Sequence, residues 1–462
     1  MPTFRQRASQ YNQRITAPAP PKMTVDEDME QILQGGWIIP EGAHYQYRFF
    51  SVEEAASRTP VKVIREADLS PDQLEVYGKL VQWYANDASS RQFLRLGGLA
   101  GTGKSTLVSV FAREHHSDKI AFCSFTGKAA NVLKAKLRDA GIRDPAFVGT
   151  IHRMMYTTET APDGTVHWQR RGFLDYDLIV VDEASMVQEV IFNDMLSYGI
   201  PILAIGDHGQ LSPIEGEFNL MKDPDLRLEK IHRQAEGSPI IALASYIRQE
   251  GELPDRYPNN EFVSFVHPNQ MRRGLEELYH QDLDPQALSD IAILSYTNSK
   301  RRMANNLVRE LRWGVKEDDP PREGDLFICL RNRGSHLFNG MRARAIKVQA
   351  HGEFWFWSHS VFDSDDMEIK GLLFRPQINR NTTFAYFHEV KDFGFPERGW
   401  SKEVGLLFDY GYCLTVHKSQ GSSFKNVFML YERPNMVDRD EFRRWLYTAV
   451  TRSSEKLSIV IR

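Results

Sequence analysis

Residues 98–105, Gly-Leu-Ala-Gly-Thr-Gly-Lys-Ser, have the types and spacing needed to hold phosphate groups. They match the pattern of Gly, four residues, then Gly-Lys-Ser or Gly-Lys-Thr. The apolar segment 93–96 precedes them and the helix-like run 106–111 follows, so they lie on a predicted strand-to-helix turn. Such a turn directs backbone N–H groups and a helix N-terminus at phosphate oxygens. The nucleotide contacts are expected from Gly98, Ala100, Gly101, Thr102, Gly103, Lys104, Ser105 and Thr106.

Two carboxylates, Asp182 and Glu183, follow the apolar strand 178–181, at the strand end where α/β sheets hold ligands. Lys104 would reach the β- and γ-phosphates, while Ser105 and Asp182 would hold Mg²⁺. Glu183 could accept a proton from an attacking water. An enzyme that transfers a phosphoryl group to another substrate does not need a base that activates water. The pair of carboxylates therefore predicts nucleotide hydrolysis.

The elements that must position these residues alternate between apolar strands and helices, which predicts an α/β fold with two parallel-sheet cores. At about 153–175, two strand-like runs flank the turn sequence Pro-Asp-Gly, which predicts an inserted β-hairpin. The predicted domains are an N-terminal extension of unknown role (1–66), a first core (67–230), a second core (231–316 and 406–462) and an inserted small β domain (317–405).

Composition narrows the class of protein. A net charge of −4 argues against a chain coated in basic residues, although a local basic channel is compatible with it. The three cysteines have no metal-binding or disulfide spacing, which favours a reducing compartment. No apolar run approaches a membrane span and the N-terminus lacks a secretory segment, so we expect a cytoplasmic protein with no membrane partner.

Further segments identify the family that the chain resembles. Asp182-Glu183-Ala184-Ser185, residues 205–211 and residues 446–452 resemble motifs II, III and VI of superfamily 1 helicases. Residues 124–130 resemble motif Ia, residues 415–421 resemble motif V, and 149–152 and 337–340 are also typical of the 5′-to-3′ subgroup. Within that subgroup the chain is similar to RecD-like and phage Dda-type helicases over roughly residues 67–462. The resemblance implies two RecA-like cores, with the inserted domain a small β-barrel.

The resemblance also implies roles around the nucleotide. Gln73 would contact adenine, since its amide both donates and accepts hydrogen bonds, and Gln210 would sense the γ-phosphate. Arg233 and Arg452 would stabilise the phosphoryl-transfer transition state from the second core. Either arginine alone could instead be part of a solvated surface. Gln420 and Gly421 of motif V are expected to contribute to the nucleotide site as well.

Polar residues at predicted strand ends would contact the backbone and bases of single-stranded DNA by the same resemblance. The expected contacts are Thr126, Lys128, His152, Thr297, Asn298, Thr415, His417 and Lys418. The hairpin occupies the place of the family's strand-separating pin, with His167 and Trp168 near its tip. A hairpin closed by its own aromatic pair is an equally good interpretation.

These expectations combine into an ATP-dependent, Mg²⁺-requiring DNA helicase that translocates 5′ to 3′ on single strands and unwinds forked duplex as a monomer. The resemblance leaves replication or recombination proteins open as partners, in a bacterial or phage-infected cell. One alternative is a DNA-stimulated ATPase that remodels protein–DNA complexes without unwinding. Another is a motor subunit of a larger recombination complex.

Overall fold

The computed structural model describes residues 45–49, 65–142, 144–160, 166–211, 218–230, 237–279, 285–317, 319–330, 339–351, 355–362, 367–374, 378, 407–434 and 437–461. Its strands are β1 (Tyr45–Phe49), β2 (Phe93–Gly98), β3 (Ile120–Ser124), β4 (Phe147–Thr150), β5 (Tyr156–Thr160), β6 (Val166–Arg170), β7 (Leu178–Asp182), β8 (Ile202–Gly206), β9 (Leu226–Leu228), β10 (Val263–Val266), β11 (Ile291–Ser295), β12 (Leu326–Cys329), β13 (Arg342–His351), β14 (Trp355–Phe362), β15 (Met367–Phe374), β16 (Phe408–Tyr410), β17 (Cys413–Thr415), β18 (Phe424–Leu430) and β19 (Ser453–Val460). Its α-helices are α1 (Pro71–Gln82), α2 (Lys104–Glu114), α3 (Gly127–Asp139), α4 (Ile151–Met155), α5 (Glu189–Leu196), α6 (Pro239–Glu250), α7 (Pro268–Leu278), α8 (Pro285–Ser289), α9 (Asn298–Trp313), α10 (Val416–Ser419) and α11 (Arg439–Val450).

The first core is a parallel sheet of six strands in the order β4-β3-β7-β8-β2-β9. Strands β3 and β8 are buried along their whole length, as their unbroken apolar runs predict. Ser124, which ends β3, lies opposite Asp182, which ends β7. Because all strands run the same way, the turn after β2, Asp182 and the segment after β8 meet at one edge of the sheet.

The second core is a parallel sheet of five strands in the order β10-β19-β18-β11-β17. Its strands come from two distant parts of the chain, because β10 and β11 precede strands β12 to β16, whereas β17, β18 and β19 follow them. The two parallel sheets confirm the predicted α/β class with two parallel-sheet cores.

Strands β12 to β16 lie between the two parts of the second core in the chain and, together with β1, form an antiparallel sheet in the order β1-β15-β14-β13-β12-β16. It extends beyond the predicted 317–405 segment at both edges. Strand β1 comes from the predicted N-terminal extension and places Tyr45 opposite Gly371, and β16 pairs with β12. Hydrophobic patterning does not reveal such edge strands, because any segment with free N–H and C=O groups can supply one.

A separate antiparallel pair joins β5 and β6, with Tyr156 opposite Arg170. The connection between these two strands lies outside the described residues. One apolar cluster unites the second core with the antiparallel sheet, and another includes Leu99 and Leu211 of the first core among second-core residues. Searched over the described ranges, the structure has no helix long and apolar enough to cross a membrane.

Candidate functional site

The phosphate-binding turn depends on backbone that only glycine adopts easily. Gly101 and Gly103 have φ angles of 81° and 79°, a region that costs other residues roughly 1–2 kcal/mol. At Gly98, a Cβ atom would lie 2.6 Å from Oγ1 of Thr102. The Thr102 hydroxyl donates to the Leu99 carbonyl at 2.9 Å and closes the loop. The turn leads directly into α2, which begins at Lys104, so a helix N-terminus lies at the predicted phosphate site.

Lys104 and Gln73 are held against this turn. The Lys104 ammonium donates to the carbonyl oxygens of Gly98 and Leu99, the second over 2.9 Å. The Gln73 side chain is buried; its Nε2 donates to the Thr102 carbonyl over 3.2 Å and its Oε1 accepts from the Ser70 N–H over 3.1 Å. Both ends of the Gln73 amide therefore bond within the chain, and its predicted adenine contact stays a prediction.

Glu183 has an unusual backbone conformation beside Asp182. Its φ of 53° makes it the one non-glycine residue with positive φ in the described part of the chain, and such strain is typical of functional sites. Its N–H donates to Oδ1 of Asp182 over 3.0 Å. Burial raises the pKa of Glu183; Arg452 and Lys104 oppose the increase, whereas Asp182 and Asp207 add to it. A carboxylate with a raised pKa suits the acceptance of a proton.

The residues proposed for Mg²⁺ fit that ion chemically. Ser105 and Asp182 offer oxygen ligands, which Mg²⁺ prefers, and it commonly uses few protein ligands beside phosphate oxygens. Three buried oxygens of this region, Oγ of Ser124, Oγ of Ser185 and Oε1 of Gln210, have no hydrogen-bond partner among the described residues. The region therefore has unused polar capacity for water, phosphate or a hydrated ion.

Arg452 approaches from the second core. It follows α11, is buried, and donates from Nε to the Thr448 carbonyl (3.2 Å) and from Nη1 to the Ser422 carbonyl (3.1 Å). Its charge acts on Glu183 across the cleft between the cores. The structure therefore brings Arg452 to the predicted catalytic region, whereas Arg233 lies outside the described residues.

Motif V also meets the first core at this cleft. Gln420 donates from Nε2 to the Leu211 carbonyl over 3.2 Å. Gly421 has a φ of 72°, and a Cβ there would lie 2.8 Å from the Cβ of Ala129 in α3. Gln420 thus contacts the turn after β8 and Gly421 packs on α3, while their predicted contact with the nucleotide stays a prediction.

The turn after β8, residues 207–211, is bonded to the second core. Arg444 of α11 donates to the carbonyl oxygens of His208 (2.9 Å) and Gln210 (3.3 Å). The Leu211 N–H donates to the Thr448 hydroxyl at 3.0 Å. Gln210, the predicted γ-phosphate sensor, is therefore held by backbone bonds to the second core.

Four threonines cap helices at the predicted DNA side, two in each core. In the first core Oγ1 of Thr126 accepts from the Ala129 N–H (3.2 Å) at the start of α3, and Thr150 caps α4. In the second core Thr297 and Thr415 cap α9 and α10 in the same way. Each threonine either ends a strand or lies two residues after its last residue, so all four lie at carboxyl edges of the two sheets.

The two cores repeat this arrangement in detail. Ser124 lies opposite Thr150 across β3 and β4, and Ser295 lies opposite Thr415 across β11 and β17. In both sheets the second strand of the pair is the edge strand. The sequences Ser-Phe-Thr and Thr-Ile-His-Arg of the first core correspond to Ser-Tyr-Thr and Thr-Val-His-Lys of the second. This internal correspondence was not predicted, because strands of the antiparallel sheet lie between the two matching segments of the second core and separate them widely in the chain.

The ionisable residues beside these threonines are partly buried. Burial lowers the pKa of both His152 and His417, which favours the neutral form of both imidazoles. Burial and the neighbouring Arg301 lower the pKa of Lys418, whereas the charge of Asp409 opposes this decrease. Asn298 accepts a bond from Nε of Arg301 over 3.1 Å, and Nη1 of Arg301 bonds to buried Asp409 over 2.9 Å. This positioning pair was not predicted.

Three of the predicted site residues are described by their backbone alone. The side chains of Lys128, His167 and Trp168 lie outside the described residues, although Lys128 is in α3 and the other two are in β6. Their roles stay predictions.

The fold and site define a P-loop nucleotide-binding protein with two parallel-sheet cores facing a shared cleft. Two family models match it: an AAA domain over residues 68–267 and a UvrD-like helicase C-terminal domain over residues 410–460. The chain is thus similar to RecD-like superfamily 1 helicases, the family that its motifs resemble.

Individual relatives are distant. The ATP-dependent RecD2 DNA helicase of Deinococcus radiodurans is 25% identical over 84% of this chain and 48% of its own length. A probable conjugal transfer protein TraA of Sinorhizobium fredii is 24% identical over 80% of this chain and 31% of its own length. The chain thus spans less than half the length of these two relatives. A Bacteroides Pif1 helicase structure with ADP-AlF3 and ssDNA has 15% identity and a TM-score of 0.49, covering 85% of this chain and 94% of that one.

Proposed function

We propose that this chain is an ATP-dependent DNA helicase that translocates 5′ to 3′ on single-stranded DNA and unwinds forked duplex as a monomer. The observation that carries the proposal is the cleft between the cores. The phosphate-binding turn and Glu183 lie on one side, Arg452 lies on the other, and Arg452 acts electrostatically on Glu183. Each core also presents the same pair of capped strand ends, so a change at the cleft would move one DNA-contacting set relative to the other.

The reaction proposed at the cleft is ATP hydrolysis. The N–H groups of the turn and Lys104 would bind the phosphates, and Glu183 would take a proton from the attacking water. Arg452, with Arg233, would stabilise the charge that spreads over the transferred phosphoryl group. Bound Mg²⁺, held by Ser105 and Asp182, would supply further neutralisation of phosphate charge.

DNA contact is proposed at the repeated threonine-capped ends and their neighbours, including Lys128, Asn298 and Lys418. Hydroxyl, amide and ammonium groups bind phosphate without reading sequence. The neutral imidazoles of His152 and His417 suit stacking or hydrogen bonding with bases better than charge pairing with phosphate. Binding should therefore tolerate any sequence.

Two finer assignments accompany this function. The β5–β6 pair would act as a strand-separating pin, with His167 and Trp168 contacting the junction base pair. The antiparallel sheet would form the small β-barrel that closes over the single strand. The antiparallel sheet and the second core share one apolar cluster, which supports the proposal that they move together.

Strand displacement tests the proposal directly. Duplexes with only a 5′ single-stranded tail or only a 3′ single-stranded tail would be incubated with ATP and Mg²⁺, and release of the labelled strand measured. We expect release from the 5′-tailed substrate alone. Release only from the 3′-tailed substrate would contradict the polarity.

A second candidate is a translocating ATPase that remodels protein–DNA complexes or serves as a motor subunit. The observation that favours it is the greater length of its relatives, one of which is named a conjugal transfer protein and another a subunit of the RecBCD enzyme. This candidate would be supported over the first if single-stranded DNA stimulated the ATPase and the protein displaced a DNA-bound protein, but no strand were released from either tailed duplex.

A further inference from the structure

The hydroxyl of Tyr447 joins three segments at the cleft. Tyr447 lies on α11 of the second core and is only 3% exposed. Its oxygen accepts a hydrogen bond from the Ala100 N–H of the phosphate-binding turn over 3.2 Å. Its O–H donates to Oδ2 of Asp207 over 2.8 Å. Because a backbone N–H only donates and a carboxylate only accepts, the direction of this bridge is determined.

The surroundings of Tyr447 make the bridge specific. The other carboxylate oxygen of Asp207, Oδ1, accepts from the Gly209 N–H over 2.9 Å and shapes the turn that leads to Gln210. A Cβ at Gly209 would lie 3.0 Å from Cε1 of Tyr447, so glycine allows the close approach of the ring. Burial and Asp207 raise the pKa of Tyr447 well above its ordinary range, so the phenol remains a donor at any pH used for assay.

Tyr447 is also close in sequence to Arg452, whose charge acts on Glu183. Arg452 follows five residues later, and its Nε bonds to the carbonyl of Thr448, the neighbour of Tyr447. One short segment thus contacts the phosphate-binding turn, the Gln210 turn and the catalytic region.

We propose that Tyr447 is a positioning residue that transmits phosphate binding at Ala100 to Gln210 and to the orientation of Arg452, and so couples ATP turnover to DNA binding. This inference rests on the proposed function. A phosphate oxygen that competes for the Ala100 N–H changes the bonding of the Tyr447 oxygen, and the effect reaches Asp207 through the same hydroxyl. Coupling between separate sites is commonly of this kind, a contact shared by two states.

The test is Tyr447→Phe in the full chain, which keeps the ring and removes the hydroxyl. ATPase rates would be measured with and without oligo(dT), over a range of ATP concentrations, together with thermal unfolding. We expect the ratio of stimulated to basal kcat to fall by about tenfold, with KM for ATP changed less than twofold. Tyr257→Phe is the control, because it removes a 3.1 Å hydroxyl bond to the Pro239 carbonyl away from the cleft; its ratio should equal that of the unmodified protein.

A second comparison separates coupling from structure. If Asp207→Asn and Tyr447→Phe break one bridge, the double variant should have a ratio no lower than the worse single variant. An unchanged ratio in Tyr447→Phe, or equal losses of basal and stimulated rates with a lower unfolding midpoint, would overturn the inference. Absence of any oligo(dT)-stimulated ATPase in the unmodified protein would instead overturn the proposed function.

Discussion

Nε2 of Gln73 donates a hydrogen bond to the carbonyl oxygen of Thr102, 3.2 Å away, inside the phosphate-binding turn. The same side chain accepts from the Ser70 N–H, which closes a capping box at the start of α1. Gln73 therefore fastens the first helix of the core to the turn that would hold the phosphates. This bond suggests support of the turn as its main role.

Gln73→Glu separates support of the turn from adenine recognition. The carboxylate keeps an acceptor for Ser70 but cannot donate to Thr102, so KM should rise about tenfold, corresponding to roughly 1.4 kcal/mol. Because the loss concerns the phosphates, KM should rise equally for ATP and GTP. Steady-state hydrolysis of both nucleotides gives the answer, with Gln82→Glu at the exposed end of α1 as the control. A selective loss with ATP would favour adenine recognition.

Lys104→Ala should abolish ATP hydrolysis while leaving affinity for single-stranded DNA within about twofold. The ammonium is positioned on the turn through bonds to Gly98 and Leu99, and not through the capping threonines of the predicted DNA side. Phosphate release and fluorescence anisotropy with labelled oligo(dT) measure the two properties. Lys79→Ala, which changes an exposed side chain of α1, should alter neither. Unfolding of Lys104→Ala would show a structural role for the lysine instead.

Glu183→Gln should bind ATP yet hydrolyse it at least 10²-fold more slowly, as expected for loss of a general base. Since the base acts when deprotonated and burial raises its pKa in the nucleotide-free protein, kcat/KM of the unmodified protein should fall with decreasing pH at values above those of an ordinary glutamate. The pH dependence of kcat/KM and nucleotide binding by filter retention check both points. Glu189→Gln, exposed at the start of α5, is the matched control. Ordinary turnover in Glu183→Gln would exclude it as the base.

The sequence predicted the motifs and parallel cores well because local patterns determine them. Glycine spacing defines the phosphate-binding turn, and unbroken apolar runs such as β3 and β8 define buried parallel strands. Tyr447, Arg301 and Asp409 were missed because their importance depends on partners more than a hundred residues away. A tyrosine in a helix or an arginine in a basic stretch has no local signature of such a contact.

Asp409→Asn should destabilise the protein by about 3 kcal/mol or more, since it leaves Arg301 as a buried charge without its carboxylate. The side chains are 7% and 0% exposed, and they join α9 of the second core to β16 of the antiparallel sheet. Urea unfolding measures the change. Asp290→Asn removes the partner of half-exposed Lys425 and should cost less than about 1 kcal/mol. If Arg301→Met with Asp409→Leu were less stable than either single change, the burial argument would be wrong.

Asp225→Asn should destabilise the first core by about 1.5–3 kcal/mol at pH 7, the usual worth of charged hydrogen bonds. Asp225 accepts bonds from Nε and Nη2 of Arg95 in β2, at 3.0 and 2.9 Å, and also pairs with Arg91. Asp223→Asn is the control in the same loop, because its pair with Arg227 is 82% and 46% exposed and should contribute little.

The stability difference caused by Asp225→Asn should depend on pH in one direction. Burial alone would raise the pKa of Asp225, but the bonds to Arg95 hold it below the ordinary value of 3.8. A carboxyl with a lowered folded-state pKa stabilises above its unfolded pKa and loses that effect as pH falls through the folded value. Urea unfolding should therefore show the full difference from pH 7 to about pH 5 and a shrinking one below about pH 4. A difference that stays constant down to pH 3 would mean that packing, not the charge, holds β2 to the loop before β9.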